Sequence, residues 1–138
     1  MQDINSLPTR SLKDLLERAV SDRLDGRDRR VFELRFELLD GHAQALETIG
    51  VEFDVSKERV RQLLERCLSK IKSTGSRQLR KNDSHLPCAA LLNYLNSEVE
   101  PDNDSFIERL IGFSKTESGN WLAPERVIWL TTKLLFDI

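Results

Sequence analysis

The segment LETIGVEFDVSKERVRQLLERCLSKIK, residues 46–72, decides how this chain folds. From Ser56 onward, Val60, Leu63, Leu64, Cys67, Leu68 and Ile71 recur at spacings of three and one, which is the apolar stripe of an amphipathic helix. The opposite face carries Lys57, Glu58, Arg61, Gln62, Arg66 and Lys70. Just upstream, Leu46 to Phe53 reads as a short helix that turns Leu46, Ile49, Gly50 and Phe53 inward. Asp54 and Val55 break it, and Ser56 can cap the next helix. A helix, a sharp turn and a second helix make helix-turn-helix grammar. Gly50 lets the pieces approach closely, Asp54 suits a left-handed turn residue, and Val55 and Val60 plug the inner angle. In such a unit the second helix enters the major groove, and its first residues reach the base edges.

Charge supports that orientation. The chain has 138 residues and a net charge of -2, but residues 56–81 hold 9 basic and 2 acidic side chains. Residues 1–55 hold 8 and 12, and residues 82–138 hold 4 and 9. Positive charge gathered on one segment is what phosphate binding needs, because each cation at the backbone releases condensed counterions. A solvated helix face has the same charge, so charge alone leaves both readings open.

Composition excludes other classes. Two cysteines, Cys67 and Cys88, are too few for a disulfide scaffold and fit a reducing compartment. No apolar run reaches membrane-span length, and MQDINSLPTRS lacks the features of a signal peptide. A cytoplasmic, nucleoid-associated protein with no membrane contact is expected. Catalysis finds no nucleophile beside a base and no phosphate-cradling glycine loop. His85 and Cys88 have a ligand-like spacing, but His42 and Cys67 stand apart, so no metal and no cofactor is expected. The chain reads as a non-enzyme.

GRDRRVFELRFELLDG, followed by LETIGVEFDVSKERVRQLLERCLSKIK, resembles region 4 of the bacterial sigma-70 family of RNA polymerase promoter-recognition factors. The resemblance covers roughly residues 12–72, with RDRRVFELRF and VSKERVRQ its most specific parts. It implies promoter recognition through the major groove, often while docked on the flap of the polymerase beta subunit. Position by position, it puts Lys57, Glu58, Arg61 and Gln62 at the base-reading sites. It puts Arg27, Arg35, Leu46 and Glu47 at the DNA backbone, with Ser56 beside the same phosphates and Arg66 at a basic position further along the recognition helix; Arg59 points sideways by periodicity, towards a phosphate or a helix partner. Arginine suits guanine acceptors, glutamine suits adenine, and glutamate can accept from cytosine. This chain departs from the family at four places. Lys57 replaces an arginine and loses its planar fork. Ala45 replaces a capping threonine, and Val51 and Leu64 are apolar where the family is charged. Something is therefore expected to pack on those two, and the candidate is the rest of the chain.

Another 66 residues follow Lys72, an arrangement not expected of a free-standing initiation factor. STGSRQLRKNDSHLP reads either as a basic linker, with Arg77, Arg80 and Lys81 as a flexible arm, or as a helix extension that breaks near Gly75. Helices are then expected over Leu86–Val99, Ser105–Phe113 and Glu125–Phe136, with Trp121, Trp129 and Phe136 in a core. Gly119 and Trp121 mark a wing or a turn. The acidic balance of this part argues against a second DNA reader.

The fold expected is all-α: a sigma region 4-like helix-turn-helix bundle with a small helical or degenerate winged-helix C-terminal domain. The domains would be residues 1–73, a linker or helix extension at 74–85, and residues 86–138. The function expected is sequence-specific binding of double-stranded DNA in transcription regulation. Two alternatives stay open: an interaction module docking on RNA polymerase or a regulator, and the DNA-targeting end of a larger protein. A homodimer through the C-terminal domain is the further partner considered.

Overall fold

The computed structural model describes residues 11–38, 44–119 and 121–136, so His42 lies outside the described residues. Within them the chain folds as α1 (Leu12–Arg23), α2 (Gly26–Arg35), α3 (Leu46–Phe53), α4 (Lys57–Arg80), α5 (Pro87–Val99), α6 (Phe106–Ser118) and α7 (Pro124–Leu135). Among the described residues there is no strand. None of these helices is long and apolar enough to cross a membrane.

Local chemistry starts most helices where the sequence suggests. Ser11 caps α1, its Oγ accepting from the Asp14 N–H at 3.2 Å. Pro87 and Pro124 occupy the first turns of α5 and α7, where a missing N–H costs nothing. The bounds of α5 and α7 follow the sequence reading within a residue or two at each end. α6 runs further than expected and absorbs Ser114 to Ser118, so the following segment is a turn, with the Trp121 N–H donating to the Ser118 carbonyl at 2.7 Å. It is not a wing.

α4 is the axis of the molecule. Its 24 residues span about 36 Å, and it packs against α2, α3, α5 and α7. It does not break near Gly75. A Cβ added at Gly75 would lie 2.7 Å from both the Cys88 carbonyl oxygen and Leu92 Cδ1. The glycine is therefore the point where α5 crosses α4 at close range. The apolar stripe is continued by buried Thr74 and Gly75, which carry little hydrophobic signal in sequence. Arg77 and Arg80 lie on the last turn of this helix, not on a flexible arm.

The buried side chains form one continuous cluster. It joins Leu12, Leu16 and Val20 of α1 to Phe32 of α2, Ile49 of α3, and Val60, Leu64 and Ile71 of α4. It continues into Leu91 and Leu95 of α5 and Val127 and Leu130 of α7. Polar ties join the same helices. Glu117 of α6 accepts from the first N–H of α1 at 2.6 Å and from the Tyr94 hydroxyl at 2.7 Å. Arg23 donates to Thr74 at 2.7 Å, and the Trp121 indole donates to the Phe36 carbonyl at 2.8 Å. Trp129 stacks on Phe36 with centroids 6.0 Å apart. Trp121, Trp129 and Phe136 are half-buried, at the margin of the core rather than inside it.

Candidate nucleic-acid interface

The turn between α3 and α4 fixes where the second helix begins. Asp54 adopts the left-handed conformation, φ 56 and ψ 46, and the Val55 N–H closes the turn onto the Gly50 carbonyl at 2.9 Å. A Cβ on Gly50 would stand 2.6 Å from the Val55 oxygen. The glycine thus makes room for the turn backbone itself, more than for helix against helix. Ser56 caps α4, its Oγ accepting from the Arg59 N–H at 3.0 Å. Val60 is fully buried in the inner angle, and Val55 is partly buried beside it.

Lys57, Glu58, Arg61 and Gln62 all stand exposed on the first two turns of α4. Arg61 Nε donates to Glu58 at 3.1 Å and its Nη1 to Glu65 at 2.8 Å, while Nη2 also meets Glu58. The hydrogen bond from Arg61 holds the Glu58 carboxyl below the usual range, and the same bond raises the Arg61 guanidinium. These two carboxylates occupy donors that a base edge or phosphate would otherwise take. Arg59 reaches Gln62 only at 3.5 Å.

The remaining expected residues divide into groups. Arg66 of α4 pairs with Asp28 of α2 at 3.2 Å, and exposed Arg27 lies 3.9 Å from the same carboxylate. Arg35 is half-buried and donates to the Gln44 carbonyl at 2.9 Å. Its pKa is depressed by burial first and then by the nearby charge of Arg126. Leu46 packs partly into the core at the start of α3, and Glu47 beside it is exposed. Ala45 supplies no side-chain cap to that helix.

Arg35, Leu46 and Arg61 share a cavity of about 270 Å³ whose other wall is α7, through Arg126 and Trp129. Leu64 lines the same cavity and is only 1% exposed. The expectation that the rest of the chain packs on Leu64 therefore holds, but Val51 is 83% exposed and uncovered. Val51 lies on the outer face of α3, and its coverage does not follow from its being apolar. Sequence reading missed α7 as a neighbour of this face. Arg126 stands alone in an acidic segment, and only tertiary packing brings it to Arg35.

Residues 22–73 match the family described as Sigma-70, region 4. The match takes in α2, α3 and most of α4 and covers 52 of the 138 residues. Sigma-70 region 4 is a DNA-binding, non-enzymatic domain family. The RNA polymerase sigma factor SigA of Clostridium acetobutylicum is 41% identical over 63 residues, covering 46% of this chain and 16% of that protein. The RNA polymerase sigma-C factor of Nostoc sp. is 41% identical over 69 residues, or 50% of this chain and 16% of its own length. SigA of Listeria monocytogenes is 36% identical over 83 residues, 57% of this chain and 22% of the relative. The chain thus spans less than a quarter of the length of these curated relatives. α1 lies almost wholly before the sigma-70 region 4 match, and α5 to α7 lie beyond it.

Proposed function

We propose that this chain binds double-stranded DNA sequence-specifically, seating the N-terminal turns of α4 in the major groove, and that it does so in transcription. The observation that carries the reading is the exposed set Lys57, Glu58, Arg61 and Gln62 on a helix start held in place by Gly50, Asp54 and Ser56. Arg61 suits the acceptors of guanine, Gln62 suits adenine, and Glu58 can accept from cytosine. Lys57 adds a point charge at the first step. Arg27, Arg35, Arg59 and Arg66 would hold the sugar-phosphate backbone, with Leu46, Glu47 and Ser56 at the helix starts beside it.

The test is retention of a random-sequence duplex library on the purified chain at two salt concentrations, followed by sequencing. A short enriched motif, with binding that falls steeply as salt rises, is expected. Gln62→Ala should relax the preference at one position, since a good bidentate pair is worth about 1–3 kcal/mol of discrimination. An unchanged motif in both Arg61→Ala and Gln62→Ala would remove the base-reading assignment. No retention at low salt would sink the DNA reading as a whole.

The exposure of Val51 favours one second reading, in which α3 docks on RNA polymerase or a regulator. Under that reading Val51→Asp abolishes function in cells and alanine at Lys57 and Arg61 spares it.

A further inference from the structure

The cavity between α2, α4 and α7 brings together three arginines from three helices, Arg35, Arg61 and Arg126. Arg61 is held by Glu58 and Glu65. Among the described residues, Arg35 and Arg126 form no ion pair, and the one hydrogen bond of Arg35 goes to the uncharged Gln44 carbonyl. Two cations thus face one space, close enough that the charge of Arg126 disfavours the protonated form of Arg35. Exposed Glu125 also lines the cavity, and exposed Glu47 acts on Arg35 more weakly than Arg126 does. Neither carboxylate pairs with the two guanidinium groups. An anion between them would relieve the repulsion and accept from both.

The position of the cavity selects the anion. It shares Arg61 with the exposed face at the start of α4, and Leu46 with the uncapped start of α3, whose first N–H groups receive no side-chain oxygen from Ala45. A duplex seated on α4 would pass its backbone along this edge. We infer that Arg126 of α7 contacts a backbone phosphate of bound double-stranded DNA together with Arg35, so that a helix outside the sigma-70 region 4 match completes the interface. This rests on the DNA-binding reading above and adds a residue to it. The net acidity of residues 82–138 does not oppose the contact, because Glu125 alone among their carboxylates lines the cavity and three guanidinium groups outweigh it there.

The experiment measures binding of the full chain to a mixed-sequence duplex and to its selected motif, between about 50 and 200 mM salt. Wild type, Arg126→Ala, Arg126→Lys and Lys57→Ala are compared, and each fold is checked by its thermal melt. Arg126→Ala is expected to weaken both duplexes by the same factor, to lower the salt slope by about 1, and to leave the motif unchanged. Arg126→Lys should restore the slope. If Arg126→Ala binds as wild type does, or more tightly, while Lys57→Ala weakens binding, the phosphate contact is overturned and the DNA-binding reading stands. A loss of binding in Arg126→Ala that tracks a lowered melt while the salt slope stays at the wild-type value makes Arg126 structural, which also overturns it. Inorganic phosphate that binds the wild-type chain, with no effect of Arg126 on either duplex, assigns the cavity to a free anion and does the same. A wild-type chain that retains no duplex at low salt removes both readings together.

Discussion

Arg61 is exposed, and its two carboxylate partners lie on its own helix. Solvent screens exposed pairs of this kind, so they contribute little to stability and exchange readily for a stronger acceptor. Glu58 and Glu65 therefore orient the guanidinium without locking it. Glu65 also accepts from Lys133 of α7 at 3.3 Å, which gives it a partner when Arg61 leaves. The cysteines sit in the opposite environment. Burial raises the Cys67 thiol from its ordinary 9.0 to about 12 and Cys88 from 9.0 to about 11. The thiolate is the reactive form, so a maleimide at neutral pH should label neither residue in the native chain and both in denaturant. The neutral thiols favour the fold below about pH 9. That contribution is lost as pH climbs towards the folded values, and a denaturation midpoint that held steady above pH 9 would contradict it.

At the scale of elements, two helical glycines should respond oppositely to the same change. In an open helix, replacing glycine with alanine gains up to about 1 kcal/mol. Gly112 on the exposed face of α6 has nothing within 4 Å of an added Cβ, so Gly112→Ala is expected to stabilise by about that amount. Gly75 has the Cys88 carbonyl oxygen at 2.7 Å, and backbone cannot step aside as a flexible side chain can. Gly75→Ala should therefore destabilise, by about 1–3 kcal/mol, despite its better propensity. Urea denaturation of the two variants decides this. A stabilised Gly75→Ala would mean that α5 does not cross α4 as described. The same contact explains why a break near Gly75 was a reasonable expectation from sequence. Glycine in a basic, polar stretch marks either a break or a crossing, and the stretch contains nothing that tells them apart.

For the whole molecule, the buried side chains of the segment matching sigma-70 region 4 are continuous with those of the helices after it. Leu91, Leu95 and Val99 of α5 are fully buried in the cluster that also contains Leu12, Leu16 and Ile71. Glu117 and Trp121 satisfy backbone groups of α1 and α2 from the far part of the chain. A chain ending at residue 81 would expose the buried sides of α1 and α4 to water at about 25 cal/mol per Å² of apolar surface. It should lose cooperative unfolding. A circular dichroism melt as sharp as that of the full chain would show instead that residues 12–81 fold by themselves.

The sequence by itself determined the pieces whose cause is local. The stripe of α4, the turn at Asp54, the cap at Ser56 and the exposure of Lys57, Glu58, Arg61 and Gln62 follow from spacing and backbone preference over a few neighbouring residues. The starts of α5 and α7 follow from their prolines for the same reason. Tertiary structure alone decided the rest. It carried α4 past Gly75, buried Leu64 while leaving Val51 in water, tied Arg66 to Asp28, and set Arg126 beside Arg35. Each of these depends on which distant helix arrives at a given face, and that is settled by the shared burial of apolar surface across the whole chain rather than by any pattern within one segment.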